Sequence, residues 1–220
     1  MYIKEIWRYP VKSMGGERLE RATLTELGIA GDREVLVLNQ QGRAVTARSH
    51  PALLGHHARL DAKGIPLVDD RPWTDPAVLA DVRKVAGPGA QLVHDRTANR
   101  FDVLPLLVAT DGAIAAFGRD GRRLRPNLVI GGVEGLDEFQ WPGSRLVIGD
   151  VIIEVDSRRG RCIMTTFHPD TVVPDPTVLQ DIVRRFGGKL ALNCAVRRSG
   201  TIELNQKVEQ WPDENPRDLR

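Results

Sequence analysis

The densest run of reactive side chains is residues 157–166, Ser-Arg-Arg-Gly-Arg-Cys-Ile-Met-Thr-Thr. Three arginines, Arg158, Arg159 and Arg161, immediately precede Cys162. Positive neighbours favour thiolate over thiol, which makes the sulfur a stronger nucleophile and a ligand for soft metals. Gly160 allows a ligand to approach the backbone closely. The plainer reading of this spacing is a buried cysteine beside solvated arginines, because free cysteine is among the most buried residue types. Three further clusters sit beside strand-like segments: Lys12-Ser13 after Pro10-Val11, Asp32-Arg33 after Gly31, and residues 122–127, Arg-Arg-Leu-Arg-Pro-Asn. Each alone reads as a solvated loop. Together they bring Arg and Lys to strand ends, where they suit an anionic, phosphate-bearing ligand. His50, His56, His57, His94 and His168 lack metal-site spacing on a helix, so zinc is not expected. The His56-His57 pair is expected to face solvent, and Asp181 has no nucleophile at useful spacing. The sequence contains no G-x-S-x-G elbow and no phosphate-cradling P-loop.

These residues must be positioned by short strands. Residues 2–7 read as a strand stopped at Pro10, and residues 34–38 and 44–47 as a hairpin turning through Gly42. A second hairpin is expected around Asp61-Ala62-Lys63-Gly64. Asp75-Pro76 starts a helix with the stripe Val78, Leu79, Val82 and Val85, stopped by Gly87-Pro88-Gly89. Thr110 can cap a short helix over 113–117, and 127–131 and 145–155 supply further strands, the latter turning at Gly149-Asp150. Asp175-Pro176 starts the clearest helix, with Val178, Leu179, Ile182, Val183 and Phe186 on one face and Gly187-Gly188 at its end. Residues 190–196 and 201–204 are expected to pair across Arg198-Ser199-Gly200. The fold class expected is mainly β with a few helices (α+β), arranged as two barrel-like domains with a boundary near 87–100.

Composition narrows the function. The 220 residues are 41% hydrophobic and 27% charged, proportions of a soluble globular protein large enough to bury a core without disulfides. Lys and Arg total 31 against 29 Asp and Glu, a net charge of +2, which argues against a dedicated polyanion binder. The 4 Trp, 2 Tyr and 5 Phe are scattered and form no stacking row, so no nucleic acid partner is expected. No apolar run approaches the ~20 residues that span a bilayer, and Lys4, Glu5 and Arg8 interrupt the start, so neither a membrane nor a secretory route is expected. With 2 cysteines the chain has no disulfide framework, a cytoplasmic location is the default, and a self-contained four-cysteine iron–sulfur cluster is ruled out.

Several ordered motifs together resemble the MOSC superfamily. Tyr9-Pro10-Val11-Lys12-Ser13, Gly31-Asp32-Arg33 and Val45-Thr46-Ala47-Arg48 are similar to its N-terminal β-barrel domain. Arg125-Pro126-Asn127, Ile148-Gly149-Asp150 and Arg161-Cys162-x-x-Thr165-Thr166 are similar to the MOSC domain proper. The resemblance implies an N-terminal domain over 1–95, a MOSC domain over 96–212 and a tail over 213–220. Within the superfamily it extends to the mitochondrial amidoxime reducing components and their bacterial counterparts. It implies a molybdenum cofactor (molybdenum–molybdopterin) with Cys162 as metal ligand and catalytic centre, and reduction of N-hydroxylated or otherwise N-oxygenated small molecules. Lys12, Ser13, Arg33, Thr110, Arg125 and Asn127 match positions that hold the pterin and its phosphate. Gly160 and Arg161 match neighbours of the metal, and Asn193 another cofactor contact. Electrons would come from a separate protein, a ferredoxin or a small haem protein with its own reductase. Where the family has Asp-Pro-Asp-Thr, this chain has His168-Pro169-Asp170-Thr171, and an imidazole changes charge near neutral pH. Two rivals remain open: a carrier of the cofactor, or of sulfur as a persulfide on Cys162, and a barrel that retains the fold without the cofactor.

Overall fold

Ile3 and Ile6 are an odd number of residues apart, which in a regular strand places them on opposite faces. In the computed structural model, which describes residues 1–212, both are fully buried in one core. A register shift between Ile3 and Glu5 in the strand Tyr2–Arg8 reconciles the two facts. That strand lies near one end of an eight-stranded sheet. From the far edge the order is Glu209–Trp211, Arg145–Ile148, Val151–Gly160, Lys189–Arg198, Leu106–Thr110, Leu128–Gly131, Tyr2–Arg8 and Glu17–Leu19. Only Leu106–Thr110 and Leu128–Gly131 pair in parallel. The crossover that a parallel pair requires passes through the helix Asp111–Phe117.

Three smaller sheets complete the fold. Gly200–Glu203 pairs with Arg21–Thr25, which also pairs with Gly28–Ile29. Val35–Leu38 pairs with Gln91–His94, and Ala58–Leu60, Pro66–Val68 and Arg71–Pro72 form a meander. The molecule is thus mainly β, as expected, but among the described residues no ladder joins the outer strands of the large sheet, so that sheet is open rather than closed. The expected tail over 213–220 lies outside the described residues.

Two strand pairings differ from the sequence-based expectation. Residues 190–196 and 201–204 do not form a hairpin. Lys189–Arg198 already has Val151–Gly160 on one edge and Leu106–Thr110 on the other, so Gly200–Glu203 finds its partner in Arg21–Thr25 instead. The turn at Gly42 forms, but its second arm contributes one bridge, Leu38 to Ala44, and the long partner of Val35–Leu38 is Gln91–His94.

The helices follow their signals. Helix α1 (Pro76–Ala86) is capped by Asp75, whose carboxylate accepts from the Ala77 N–H at 2.7 Å, and buries Val78 and Val82. Helix α2 (Asp111–Phe117) is capped by Thr110. Helix α3 (Pro176–Phe186), capped by Asp175, buries Val178, Ile182 and Phe186 against Phe117, Leu124 and Leu190. Val183 is 58% exposed. It follows Ile182 directly, so it lies roughly 100° around the helix from the buried stripe.

Candidate functional site

Ser13, Arg33 and Arg125 all adopt left-handed backbone conformations, with φ of 72°, 55° and 55°. Such positions cost about 1–3 kcal/mol each and persist where the surroundings hold them. For Arg33 the holding group is Asp32, a fully buried carboxylate. Its Oδ1 accepts from the Tyr9 N–H at 2.7 Å, and its Oδ2 accepts from Arg33 and, at 3.2 Å, from the Asn127 amide. The Arg33 N–H in turn donates to the Tyr9 carbonyl at 2.7 Å. For Arg125 the support is aromatic. Its guanidinium lies 4.2 Å from the Tyr9 ring centre, and that of Arg33 lies 5.0 Å from it. Burial pushes the Tyr9 hydroxyl up to about 12 against the pull of these two cations, and burial brings Arg125 down to about 10.

These groups line one cavity. Nine of the ten expected site residues border it: Lys12, Ser13, Arg33, Arg125, Asn127, Gly160, Arg161, Cys162 and Asn193. Its wall also contains Arg48, Arg100, Arg123, Arg159 and Asp102. Lys12 and seven arginines therefore face a single lining carboxylate. Arg48 and Arg159 pair with Asp102, and Arg33 with buried Asp32 behind the wall; the other four rest on carbonyls or a ring. Arg123 donates to the carbonyls of Thr165 and Thr166, Arg100 to those of Asp32, Thr97 and Leu27, and Arg161 to that of Leu124. Arg125 rests on Tyr9. Burial holds Arg161 down at about 10, helped by repulsion from Arg159, and its Nε is buried without a partner. Such a wall carries more positive charge than its own acids balance, which favours an anion.

Cys162 reaches the wall through the strand that precedes it. Val151–Gly160 shifts register against Lys189–Arg198 at three places, the last between Arg158 and Gly160. Bulges of this kind bend a strand and re-aim its side chains. Cys162 then opens a short 3₁₀ turn, Ile163–Thr166, and is half-buried. The Thr165 hydroxyl donates to the Cys162 carbonyl at 2.9 Å, fixing the turn. Arg48, which borders the same cavity as Cys162, pairs with Asp102 at 2.5 Å. A Cβ placed on Gly160 would meet nothing within 4 Å, so the backbone there borders open space.

Three expected contacts have other employment. Thr110 does not border the cavity. It is fully buried, caps α2 through the Ala113 N–H at 3.1 Å, and donates its hydroxyl to Glu138 at 2.8 Å. Asn127 touches the wall, but its oxygen accepts from Arg33 and the Leu107 N–H, and its amide donates to the Trp7 carbonyl and Asp32. Asn193 is similarly occupied, accepting from Arg159 at 3.3 Å and donating to Ser157 at 3.1 Å. His168 lies outside the cavity wall; its Nδ1 accepts from the N–H groups of Asp170 and Thr171, the turn-closing task an aspartate performs. His56 is half-buried against Asp69 at 2.7 Å, while His57 is exposed.

Sequence reasoning missed Arg48, Arg100, Asp102, Arg123 and Arg159 as wall residues. Arg159 lies in the stretch around Cys162, Arg123 in the basic cluster 122–127 and Arg48 at the end of Val45-Thr46-Ala47-Arg48, so all three were within reach. Asp102 has no local signal.

The family model of the MOSC N-terminal beta barrel domain matches residues 1–97, and that of the MOSC domain matches residues 114–209. The chain belongs to the MOSC superfamily. Human mitochondrial amidoxime-reducing component 1 is 28% identical over 229 residues, covering 78% of this chain and 67% of that protein. Mitochondrial amidoxime reducing component 2 of Macaca fascicularis is 25% identical over 243 residues, covering 84% of this chain and 72% of that one. The crystal structure of the YUAD protein from Bacillus subtilis shares the fold, with a TM-score of 0.53 at 13% identity over 97% of this chain and 96% of that one. Residues from both MOSC segments build the wall: Lys12, Arg33 and Arg48 from the first, Arg125, Arg161 and Cys162 from the second. Asp102 lies between the two matched segments. No helix among the described residues is long and apolar enough to cross a membrane.

Proposed function

We propose that this MOSC protein is a molybdenum cofactor-dependent oxidoreductase that reduces N-hydroxylated compounds, with Cys162 as the protein ligand to molybdenum. The observation that carries the reading is the placement of one half-buried cysteine in a cavity whose wall holds Lys12 and seven arginines against one carboxylate. Thiolate is a soft donor suited to a metal already held by sulfur. Among the described residues no group of three or more His, Cys, Asp or Glu side chains could hold a metal ion, so the remaining ligands would come from the cofactor itself. The residues fit such a group. The unpartnered Nε of Arg161 seeks an acceptor, the open side of Gly160 leaves room beside the sulfur, and the excess of arginine suits a phosphate.

Bound there, the cofactor would supply the two-electron chemistry. The chain supplies the rest. Lys12, Ser13 and Arg33 offer a cation, a hydroxyl and a guanidinium to a phosphate. Arg125, stacked on Tyr9, presents its charge with its plane fixed, and Arg161 offers Nε to an anionic atom next to Cys162. Asn127 and Asn193 act as braces, since their amides are engaged within the protein. Reduction of an N–OH group to N–H consumes two electrons and two protons and releases water, so each turnover requires a donor. The described residues contain two cysteines, one of them buried Cys194, which cannot form a cluster. The reading therefore includes a separate electron-donor protein, a ferredoxin or a small haem protein with its reductase.

Metal and sulfur analysis of purified protein, with a reduction assay on hydroxylamine and amidoxime substrates, tests the reading. Molybdenum near one per chain with turnover supports it. Sulfane sulfur on Cys162 without molybdenum transfers the weight to a carrier, and neither one leaves only the fold.

A further inference from the structure

Asp102 is the single carboxylate among the cavity's cations, and three of them converge on it. Its Oδ1 lies 2.9 Å from Lys12 Nζ, and its Oδ2 lies 2.5 Å from Arg48 and 3.4 Å from Arg159. Burial alone would raise the Asp102 carboxyl, but Lys12, then Arg48 and Arg159, hold it below its ordinary value. The carboxylate is not part of a strand or helix. It sits in the irregular segment between the 3₁₀ turn Ala98–Arg100 and the strand Leu106–Thr110, beside Val103, which is 54% exposed. Three cations meet one negative charge, in reach of solvent, on a segment free of ladder bonds. Arg48 and Arg159 also border the cavity that Cys162 lines.

We propose that Lys12, Arg48 and Arg159 form an oxyanion subsite beside Cys162, and that Asp102 fills it as an internal anion until a carboxylate or phosphate group of a ligand displaces it. A phosphate dianion brings twice the charge of the side chain it replaces and matches the guanidinium forks of Arg48 and Arg159. Two ligands present this chemistry: the phosphate of the cofactor and an acidic substituent on the N-hydroxylated substrate. The subsite stands on its charges; only the identity of its occupant rests on the proposed function.

Titration of inorganic phosphate into cofactor-free full-length protein, followed by calorimetry, tests the displacement. Asp102→Asn should tighten phosphate binding by about tenfold, the order expected when a competing ion-paired carboxylate is removed. Arg48→Ala should weaken binding several-fold and so locate the phosphate at this subsite. Asp81→Asn, which removes a carboxylate that pairs with Arg71 and Lys84 elsewhere, controls for net charge and should change nothing. Hydrogen exchange provides a second readout: phosphate should speed exchange across residues 101–105 in the parent protein and leave it unchanged in Asp102→Asn. Equal or weaker phosphate binding by Asp102→Asn overturns the proposal, because a carboxylate that merely orders the three cations loosens the site when removed. Unaltered exchange in the parent protein at saturating phosphate also overturns it. Repeating the titration on cofactor-loaded protein separates the two sources. Loss of phosphate binding assigns the subsite to the cofactor's phosphate, and retention assigns it to an acidic substrate group. Failure of the reductase reading would leave the titration untouched.

Discussion

Replacing Asp32 by alanine should be among the most damaging single changes in this chain. The carboxylate is fully buried and serves three donors: the Tyr9 N–H, Arg33 and Asn127. Alanine leaves Arg33 beside a hole, and removing one member of a buried ion pair costs about 3–5 kcal/mol. It also strands the Tyr9 N–H, a further ~1–3 kcal/mol, although part of that overlaps with the first figure. A net loss of about 4 kcal/mol is a large share of the 5–15 kcal/mol that holds a typical domain. Asp32→Asn keeps an oxygen for the Tyr9 N–H but turns an NH₂ toward Arg33 or Asn127, so it should cost about 2–3 kcal/mol. Urea unfolding followed by far-ultraviolet circular dichroism measures both through the midpoint, provided the slope is unchanged. Arg33→Ala completes a double-mutant cycle with Asp32→Asn, and a coupling of about 1.5–3 kcal/mol is expected for a charge-assisted bond. An Asp32→Ala variant that loses less than about 1.5 kcal/mol, or a cycle whose effects simply add, would refute the claim that this carboxylate organises the cationic wall.

Cys162→Ser should abolish reductase activity and molybdenum retention while the melting temperature stays within a few degrees, whereas Cys194→Ala, at a fully buried core position, should cost about 1 kcal/mol and leave activity intact. Arg125→Lys should lower cofactor retention on dialysis about tenfold, because a lysine cannot present a planar fork over Tyr9; equal retention would count against that role. Burial holds the Glu138 carboxyl above its ordinary value of 4.5, so the folded protein keeps a proton that the unfolded chain releases. Its contribution is complete below about pH 4.5 and declines as pH rises through the folded value, so the stability of the parent should fall relative to Glu138→Gln over that window; parallel curves from urea midpoints would contradict this. Purified, cofactor-loaded protein should turn over with reduced viologen but not with NADH or NADPH alone, and rapid NADH-driven turnover by the isolated chain would remove the need for a donor protein.

Local signals were legible wherever local chemistry determines the outcome. Asp75-Pro76 and Asp175-Pro176 begin helices because a carboxylate accepts from the first turn and proline needs no N–H there. The basic strand ends do gather, because strand ends on one side of a fold share a rim. The failures are non-local. Nothing in residues 198–204 states that both edges of Lys189–Arg198 are taken, so a hairpin was the natural expectation where the chain instead crosses to Arg21–Thr25. Nor can a motif position reveal that the amide of Asn127 is already engaged on all sides, or that Thr110 spends its hydroxyl on α2 and Glu138.

The left-handed residues carry the argument for a functional wall one step further. Glycine reaches positive φ without a steric penalty, and Gly31 and Gly118 do so in this chain at 82° and 69°. At Ser13, Arg33 and Arg125 the same backbone region is occupied by residues that pay about 1–2 kcal/mol for it. If these positions served only to turn the chain, glycine would be the more stable choice at each. The side chains must therefore recover the cost, and within the protein only part of the recovery is visible. Arg33 has Asp32, and Arg125 has the face of Tyr9. Ser13 is 4% exposed and borders the cavity, and Arg161 in the same wall keeps an unpartnered Nε. Three of the eight non-glycine residues at positive φ thus lie in the wall that also holds the unpartnered Nε of Arg161, and an anion bound there would give that donor its acceptor.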